Sequence, residues 1–327
     1  MDPRGGIDLG GTKIQAAIVG ADGEVVGADR RPTPTAGGPE DVAQAIAASL
    51  AAAAAEAGVE TAALAGLGIG SPGEIDAASG TVSQARNLPG WEGSFPLGPR
   101  VGELAGVGRV AVGNDVDVAT AAEARLGAGR GHDSLLGVFW GTGVGGGIVL
   151  GGRPWSGRGA AGEIGHVVVK LGGRRCPCGR RGCMEAYAGR AAMEHRARKL
   201  VEEGHHTKLF HLMDKHGRDR LTSGIWSRAL EHDDRMAREL LDEAVEALGA
   251  GIASAANLLD VDVLILGGGL GLRLGEPFRA RIEAAMAPHL FSDDDPPALV
   301  LAQLGDLGGA VGAALLAGDG APAAADG

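Results

Sequence analysis

The sequence predicts an α/β protein of two similar domains, and three features carry that reading. At 327 residues, 45% of them hydrophobic, the chain exceeds the usual size of one core and is apolar enough for two. Short apolar strands end in glycine turns at Gly10-Gly11-Thr12, Gly141-Thr142-Gly143 and Gly267-Gly268-Gly269. The first two turns each join strand to returning strand, as two facing α/β domains would if a nucleotide lay between them.

In chain order, the strand ending at Leu9 returns over residues 14–19, a turn follows at Ala21-Asp22-Gly23-Glu24, and a third strand covers 25–30. Residues 39–57 have a helical pattern, with Pro39 in the first turn and Gly58 past the end. A buried strand over 64–69 is broken by Ser71-Pro72-Gly73, a strand end of the kind where pockets form. Asn87 lies in a loop, and the short strand 110–112 leads through Gly113 into Asn114-Asp115 and a helix over 118–125.

The second half repeats this logic, with a strand at 135–140, a glycine turn over 141–147 and a returning strand at 148–150. Helices follow at 190–202 and 235–259, separated by a polar, irregular stretch at 204–223. Its four histidines, His205, His206, His211 and His216, read as solvated surface. A strand at 261–266 runs into the Gly267 turn, and residues 305–310 lead into a small-residue helix ending near 317. The expected division is 1–115 with the helix 308–317 returning to it, then 116–307, with 318–327 a disordered tail.

All three cysteines, Cys176, Cys178 and Cys183, fall in one run, with His166 ten residues upstream. Three thiolates and one imidazole make a closed tetrahedral set, so the expected cofactor here is a structural Zn2+. Clustering argues against cysteines used as scattered small hydrophobes. The odd count argues against a disulfide framework. Glu163 and Glu185 flank the cluster, so folding it would bring both carboxylates towards one place.

Gly10 and Gly11 leave backbone amides open and Thr12 adds a hydroxyl, a turn able to hydrogen-bond phosphate oxygens, while Asp8 can hold Mg2+ or orient its waters. Neither hairpin has Walker A spacing, and Gly143 to Gly147 is followed by a strand rather than the helix a dinucleotide fingerprint needs. Asp115 suits a general base, since phosphoryl transfer needs a carboxylate at a strand end to take the acceptor proton; the alternative is that it caps the following helix. A net charge of −11 excludes nucleic acid as the main partner, and no apolar run reaches the roughly 20 residues that span a bilayer. With no signal-peptide core at Met1-Asp2-Pro3-Arg4-Gly5, the expectation is a cytoplasmic protein.

The run Glu163-Ile164-Gly165-His166, followed by Cys176-Pro177-Cys178-Gly179-Arg180-Arg181-Gly182-Cys183-Met184-Glu185, resembles the signature of the ROK family of repressors and sugar kinases. The two hairpins and the third glycine turn resemble the actin-like ATPase (ribonuclease H-like) superfamily. That resemblance implies two such domains with a cleft between them. It also implies nucleotide contacts at Asp8, Gly10, Gly11, Thr12, Lys13, Gly141, Thr142 and Gly143, with Gly267, Gly268 and Gly269 bordering the adenosine. It puts the base at Asp115 and sugar contacts at Asn87, Asn114, Asp115, Glu163, His166 and Glu185, with His166 shared between zinc and sugar. The implied reaction is transfer from ATP with Mg2+ to a hexose, glucose first. The alternatives are polyphosphate as donor, another acceptor (fructose, N-acetylglucosamine or N-acetylmannosamine), or a sugar sensor without turnover. The first phosphate turn lies too near the start to leave room for a repressor's helix-turn-helix. A homodimer is the family's habit. Related kinases often show Glu-Asn-Asp-Ala-Asn, whereas this chain has Gly113-Asn114-Asp115-Val116-Asp117.

Overall fold

The computed structural model describes residues 2–85, 87–292 and 294–318. Two compact units emerge, one running to Arg130 and resuming at Gln303, the other spanning Gly131–Ala302. Nine of the ten tail residues, 319–327, lie outside the described residues.

In the first unit, β1 (Arg4–Leu9), β2 (Lys13–Val19) and β3 (Val25–Pro32) form an antiparallel meander. Helix α1 (Pro39–Ala57) has the predicted bounds and ends on left-handed Gly58. Strand β4 (Leu67–Ser71) then pairs parallel with β1. A small sheet of β5 (Glu74–Asp76), β6 (Thr81–Ser83) and β7 (Ser94–Phe95), then α2 (Leu97–Ala105), precede β8 (Val110–Asn114), which lies parallel beside β4, and α3 (Asp115–Leu126). The main sheet runs β3-β2-β1-β4-β8.

The second unit repeats this plan with β9 (Leu135–Trp140), β10 (Val144–Leu150) and β11 (Arg153–Pro154). The cysteine run follows, then α4 (Glu185–Ala188), α5 (Arg190–Glu202), α6 (Leu209–Lys215), α7 (Ser223–Glu231) and α8 (Arg235–Leu259). Strand β12 (Val263–Gly267), α9 (Gly271–Met286) and β13 (Ala298–Leu301) complete it. The order is β11-β10-β9-β12-β13, again antiparallel on one side of its first strand and parallel on the other. Among the described residues, no helix is long and apolar enough to cross a membrane.

Helix α10 (Gly308–Leu316) belongs to the first unit, and its small residues explain two glycines of the sheet. A Cβ at Gly6 would lie 1.9 Å from the Ala310 carbonyl oxygen, and one at Gly68 would lie 1.7 Å from that of Ala313. Helix and sheet therefore pack backbone to backbone. Period-two alternation gives each strand two burial faces. In β2, Ile14, Ala16 and Ile18 join the core that includes α1, while Ala17 and Val19 pack with Ala310, Val311 and Ala314.

Four sequence expectations change. The boundaries expected after 115 and 307 fall after Arg130 and Ala302, because α3 packs on α10; a Cβ at Gly312 would lie 2.3 Å from the Val118 carbonyl. Glu123, only 3% exposed, also ties the two segments flanking those boundaries to the first unit. Its carboxylate accepts the N–H groups of Ala128 (2.8 Å), Gln303 (3.1 Å) and Leu304 (2.9 Å). Gly145, Gly146 and Gly147 are strand, not turn; Gly146 lacks a Cβ because Ile164 and the Gly162 carbonyl press on it at 2.7 and 2.9 Å. The stretch 204–223 contains α6, whose Leu209, Leu212 and Met213 are buried. Helix α3 starts three residues before the expected 118, for a reason that bears on the site.

Candidate active site and metal cluster

In the first unit, Asp8, Ser71 and Asn114 occupy the carboxyl ends of three parallel strands, with Asp8 opposite Gly70 and Ser71 opposite Asn114. Ligands of open α/β sheets bind at such ends. The turn after Asp8 is closed by Gly10 N–H donating to the Lys13 carbonyl at 2.9 Å, and the Thr33 hydroxyl donates to the Gly10 carbonyl at 2.6 Å. Lys13 Nζ is held by Gln15 and, at 3.4 Å, by Asp306. A Cβ at Gly11 would stand 2.8 Å from the Asn87 carbonyl, so the Asn87 loop is seated on this turn. Thr12 is exposed at its tip.

Asn114 caps α3. Its Oδ1 accepts from Val116 N–H at 3.1 Å and Asp117 N–H at 3.3 Å, so the capping role considered for Asp115 falls one residue earlier. Asp115 becomes the first helical residue, with Oδ1 accepting from Val116 N–H at 3.0 Å. It keeps some solvent access, yet it sits deep enough that burial pushes its carboxyl up to about 7, with the Asp8 charge adding to the rise. Burial also raises Asp8, against the pull of Lys13. A carboxylate near 7 is poised to accept a proton at neutral pH.

In the second unit, the Gly141–Gly143 turn is docked on the start of α5. Arg190 N–H donates to the Gly141 carbonyl at 3.2 Å and Ala191 N–H to that of Thr142 at 3.0 Å. The Arg190 guanidinium, absent from the sequence-predicted set, reaches the Thr142 hydroxyl at 2.8 Å. The glycine at 143 has a protein reason: a Cβ there would lie 2.3 Å from Glu185 Oε2, which accepts Val144 N–H at 2.9 Å. A Cβ at Gly141 would be in ordinary contact with Gly269 N, at 4.0 Å, so the turns at 141–143 and 267–269 are neighbours. Residue 268 is glycine for two reasons: its φ is 83°, and a Cβ would lie 2.5 Å from the Trp140 carbonyl oxygen. Gly267 closes β12 against Phe139.

The cysteine run is brought onto β10 by Gly165, where a Cβ would lie 2.0 Å from the Val144 carbonyl. One ligand atom from each of His166, Cys176, Cys178 and Cys183 lies within 4.8 Å of the others. Cys176 Sγ is 3.7 Å from His166 Nδ1, and Cys178 Sγ is 3.7 Å from Cys183 Sγ. Tetrahedral zinc, with sulfur at about 2.3 Å and nitrogen at about 2.0 Å, puts its donors roughly 3.5–3.8 Å apart, so these residues fit the ion. The sulfurs are too far apart for a disulfide, and all three cysteines are free. His166 Nε2 remains on the other side of the ring, 3.8 Å from Glu163 Oε2.

Two five-stranded sheets built on one plan, each with a glycine turn after its first strand, define the two-domain actin-like ATPase fold. The ROK family model matches residues 4–319. A glucokinase of Thermotoga maritima is 33% identical over 86% of this chain and 88% of its own. An N-acetylmannosamine kinase of Shigella boydii serotype 18 is also 33% identical, over 95% and 97%. The crystal structure of a ROK family glucokinase from Streptomyces griseus in complex with glucose and AMPPNP superposes with a TM-score of 0.81 at 35% identity, covering 97% of this chain and 100% of that one. The chain belongs to the ROK family.

Proposed function

We propose that this ROK sugar kinase transfers the γ-phosphoryl group of ATP to glucose, giving glucose 6-phosphate, with Asp115 as the general base. The observation that carries the mechanism is the Asp115 carboxyl at the start of α3, relieved of capping by Asn114 and raised to about 7 by burial. In that range it is ionised in a large fraction of molecules at neutral pH and basic enough to take the acceptor hydroxyl's proton as the new bond forms. Asn87, Asn114, Glu163, His166 and Glu185 are assigned to the sugar hydroxyls, whose donors and acceptors suit amides, carboxylates and imidazole. Asp8, Gly10, Gly11, Thr12 and Lys13 in one unit, and Gly141, Thr142, Gly143, Gly267, Gly268 and Gly269 in the other, are assigned to the nucleotide. Mg2+ bound with ATP would neutralise phosphate charge, with Asp8 the residue to hold it or its waters.

The donor set at His166, Cys176, Cys178 and Cys183 is assigned to a structural zinc. Four protein ligands fill a tetrahedral shell and leave no position for a reacting water, so the ion's contribution is to fix the loop that carries Glu163, His166 and Glu185. Glucose is favoured by the likeness to the Streptomyces griseus glucokinase, at 35% identity, and the N-acetylmannosamine kinase, at 33%, favours the second reading, an N-acyl-aminosugar acceptor. A panel of both sugars, fructose and N-acetylglucosamine with ATP and Mg2+ decides between them. The highest kcat/KM is expected for glucose, and turnover confined to an N-acyl-aminosugar would replace the first reading with the second.

A further inference from the structure

Among the described residues, Arg190 has no hydrogen bond from its guanidinium to a carboxylate. Its guanidinium donates to two neutral oxygens, the Thr142 hydroxyl at 2.8 Å and the Ser223 hydroxyl at 3.4 Å. The acid whose charge acts on it, Glu194, is already committed to Arg198 at 2.7 Å and to Leu221 N–H at 2.9 Å, while Arg220 adds like charge. A half-buried guanidinium offering five N–H donors is costly to keep in this way unless an anion completes its environment. Burial pulls its ionisation below the ordinary value, as expected for a charge lacking a counter-ion.

The position narrows the anion. Arg190 stands at the start of α5, directly under the Gly141–Gly143 turn, whose carbonyls accept the N–H groups of residues 190 and 191. Its second partner, Ser223, lies 3.8 Å from where a Cβ of Gly269 would be, and a Cβ of Gly141 would be in ordinary contact with Gly269 N at 4.0 Å. The guanidinium thus borders two adjoining glycine turns. A guanidinium fork beside backbone and hydroxyl groups matches phosphate oxygens, and a chain of two or more phosphates is the polyanion long enough to follow both turns.

We propose that Arg190 is a nucleotide-binding residue that holds the phosphate chain of a nucleoside di- or triphosphate against the Gly141–Gly143 turn, with Thr142 and Ser223 aiming its guanidinium. This deepens, and rests on, the assignment of that turn to ATP. Arg190→Met keeps the apolar stem and removes the charge. It is expected to raise the KM for ATP and the inhibition constant of ADP by about ten- to a hundredfold, the range for a charge-assisted hydrogen bond. The KM for the sugar and the inhibition constant of adenosine should stay within about twofold. Arg190→Lys should recover part of the ADP affinity, because charge survives without the fork. ADP binding unchanged in Arg190→Met, or adenosine and ADP weakened by the same factor, overturns the proposal; the second result would make Arg190 a support for the turn alone. A wild-type protein that does not use ATP removes the underlying assignment, and the proposal with it. Should Arg190→Met fail to fold, Arg190→Lys with Ser223→Ala carries the same ADP-against-adenosine comparison.

Discussion

Replacing Asp115 with asparagine should cost activity and gain stability at one stroke. The folded protein raises this carboxyl from an ordinary 3.8 to about 7, so its protonated form is the one the native state favours. Such a group supports the fold fully below its unfolded pKa, and that support is lost as pH rises through the folded value; above about 7 the ionised carboxylate is a net cost. The rise is about 3 units, each worth 1.36 kcal/mol, which sets a ceiling on the order of 4 kcal/mol. Partial solvent access to Asp115 reduces the realised figure to about 1–2 kcal/mol. Asparagine is neutral at every pH and can still accept Val116 N–H. The Asp115→Asn protein should therefore melt several degrees higher than wild type near pH 8 and at the same temperature near pH 4, given roughly 2–4 °C per kcal/mol for a domain of this size. Its kcat should fall by about 10²–10⁴, with sugar binding largely intact, because the base acts in the transition state. Melting curves at both pH values, sugar binding and steady-state kinetics on the same preparations make the test. Wild-type turnover would refute Asp115 as the base, and no gain in melting temperature near pH 8 would refute the buried-charge account of its pKa.

Three further perturbations have defined outcomes. Gly143→Ala puts a Cβ 2.3 Å from Glu185 Oε2 and must displace that carboxylate from Val144 N–H, so the KM values for sugar and ATP should both rise; unchanged kinetics would show that Glu185 is free to move. Elemental analysis should find about one zinc per chain, and Cys178→Ser should release it and raise the sugar KM more than the ATP KM; a metal-free chain with normal activity would remove the metal from the account. Glu123→Gln turns one carboxylate oxygen into a donor facing backbone N–H groups and should lower stability by about 1–3 kcal/mol, read as a fall in denaturant midpoint.

The parts of the fold legible in the sequence are those where local chemistry and tertiary packing agree. Helix α1 could be delimited because Pro39 and Gly58 punctuate it, β9 because it is a short, nearly continuous apolar run, and α8 because its apolar period is long. Packing overrode composition where the reading failed. Gly145 to Gly147 looked like turn residues but are strand, because the loop carrying Glu163 and His166 lies flush on β10 and leaves no room for a Cβ at Gly146. Helix α6 was hidden by a polar surface in which only Leu209, Leu212 and Met213 are buried. The metal cluster was legible because its ligands are nearly contiguous and chemically distinctive. Arg190 was not, since nothing local distinguishes it from other surface arginines; it acquires meaning only when the hairpin folds back onto the start of α5.

Glu185 shows how the cysteine cluster reaches beyond its own loop. One carboxylate oxygen accepts the N–H of Val144, the residue that opens β10 directly after the Gly141–Gly143 turn, while the other lies 3.9 Å from Cys176 Sγ. The same side chain occupies the space that keeps residue 143 a glycine. A strut of this kind transmits the position of the cysteine cluster to the turn assigned to ATP. His166, by contrast, is itself one of the cluster's donors and meets Glu163 at 3.8 Å. Loss of the metal should consequently act in graded fashion, loosening Glu163 and His166 first and the Gly141–Gly143 turn through Glu185 second. The order of damage in Cys178→Ser, sugar before nucleotide, is the consequence of that difference in attachment.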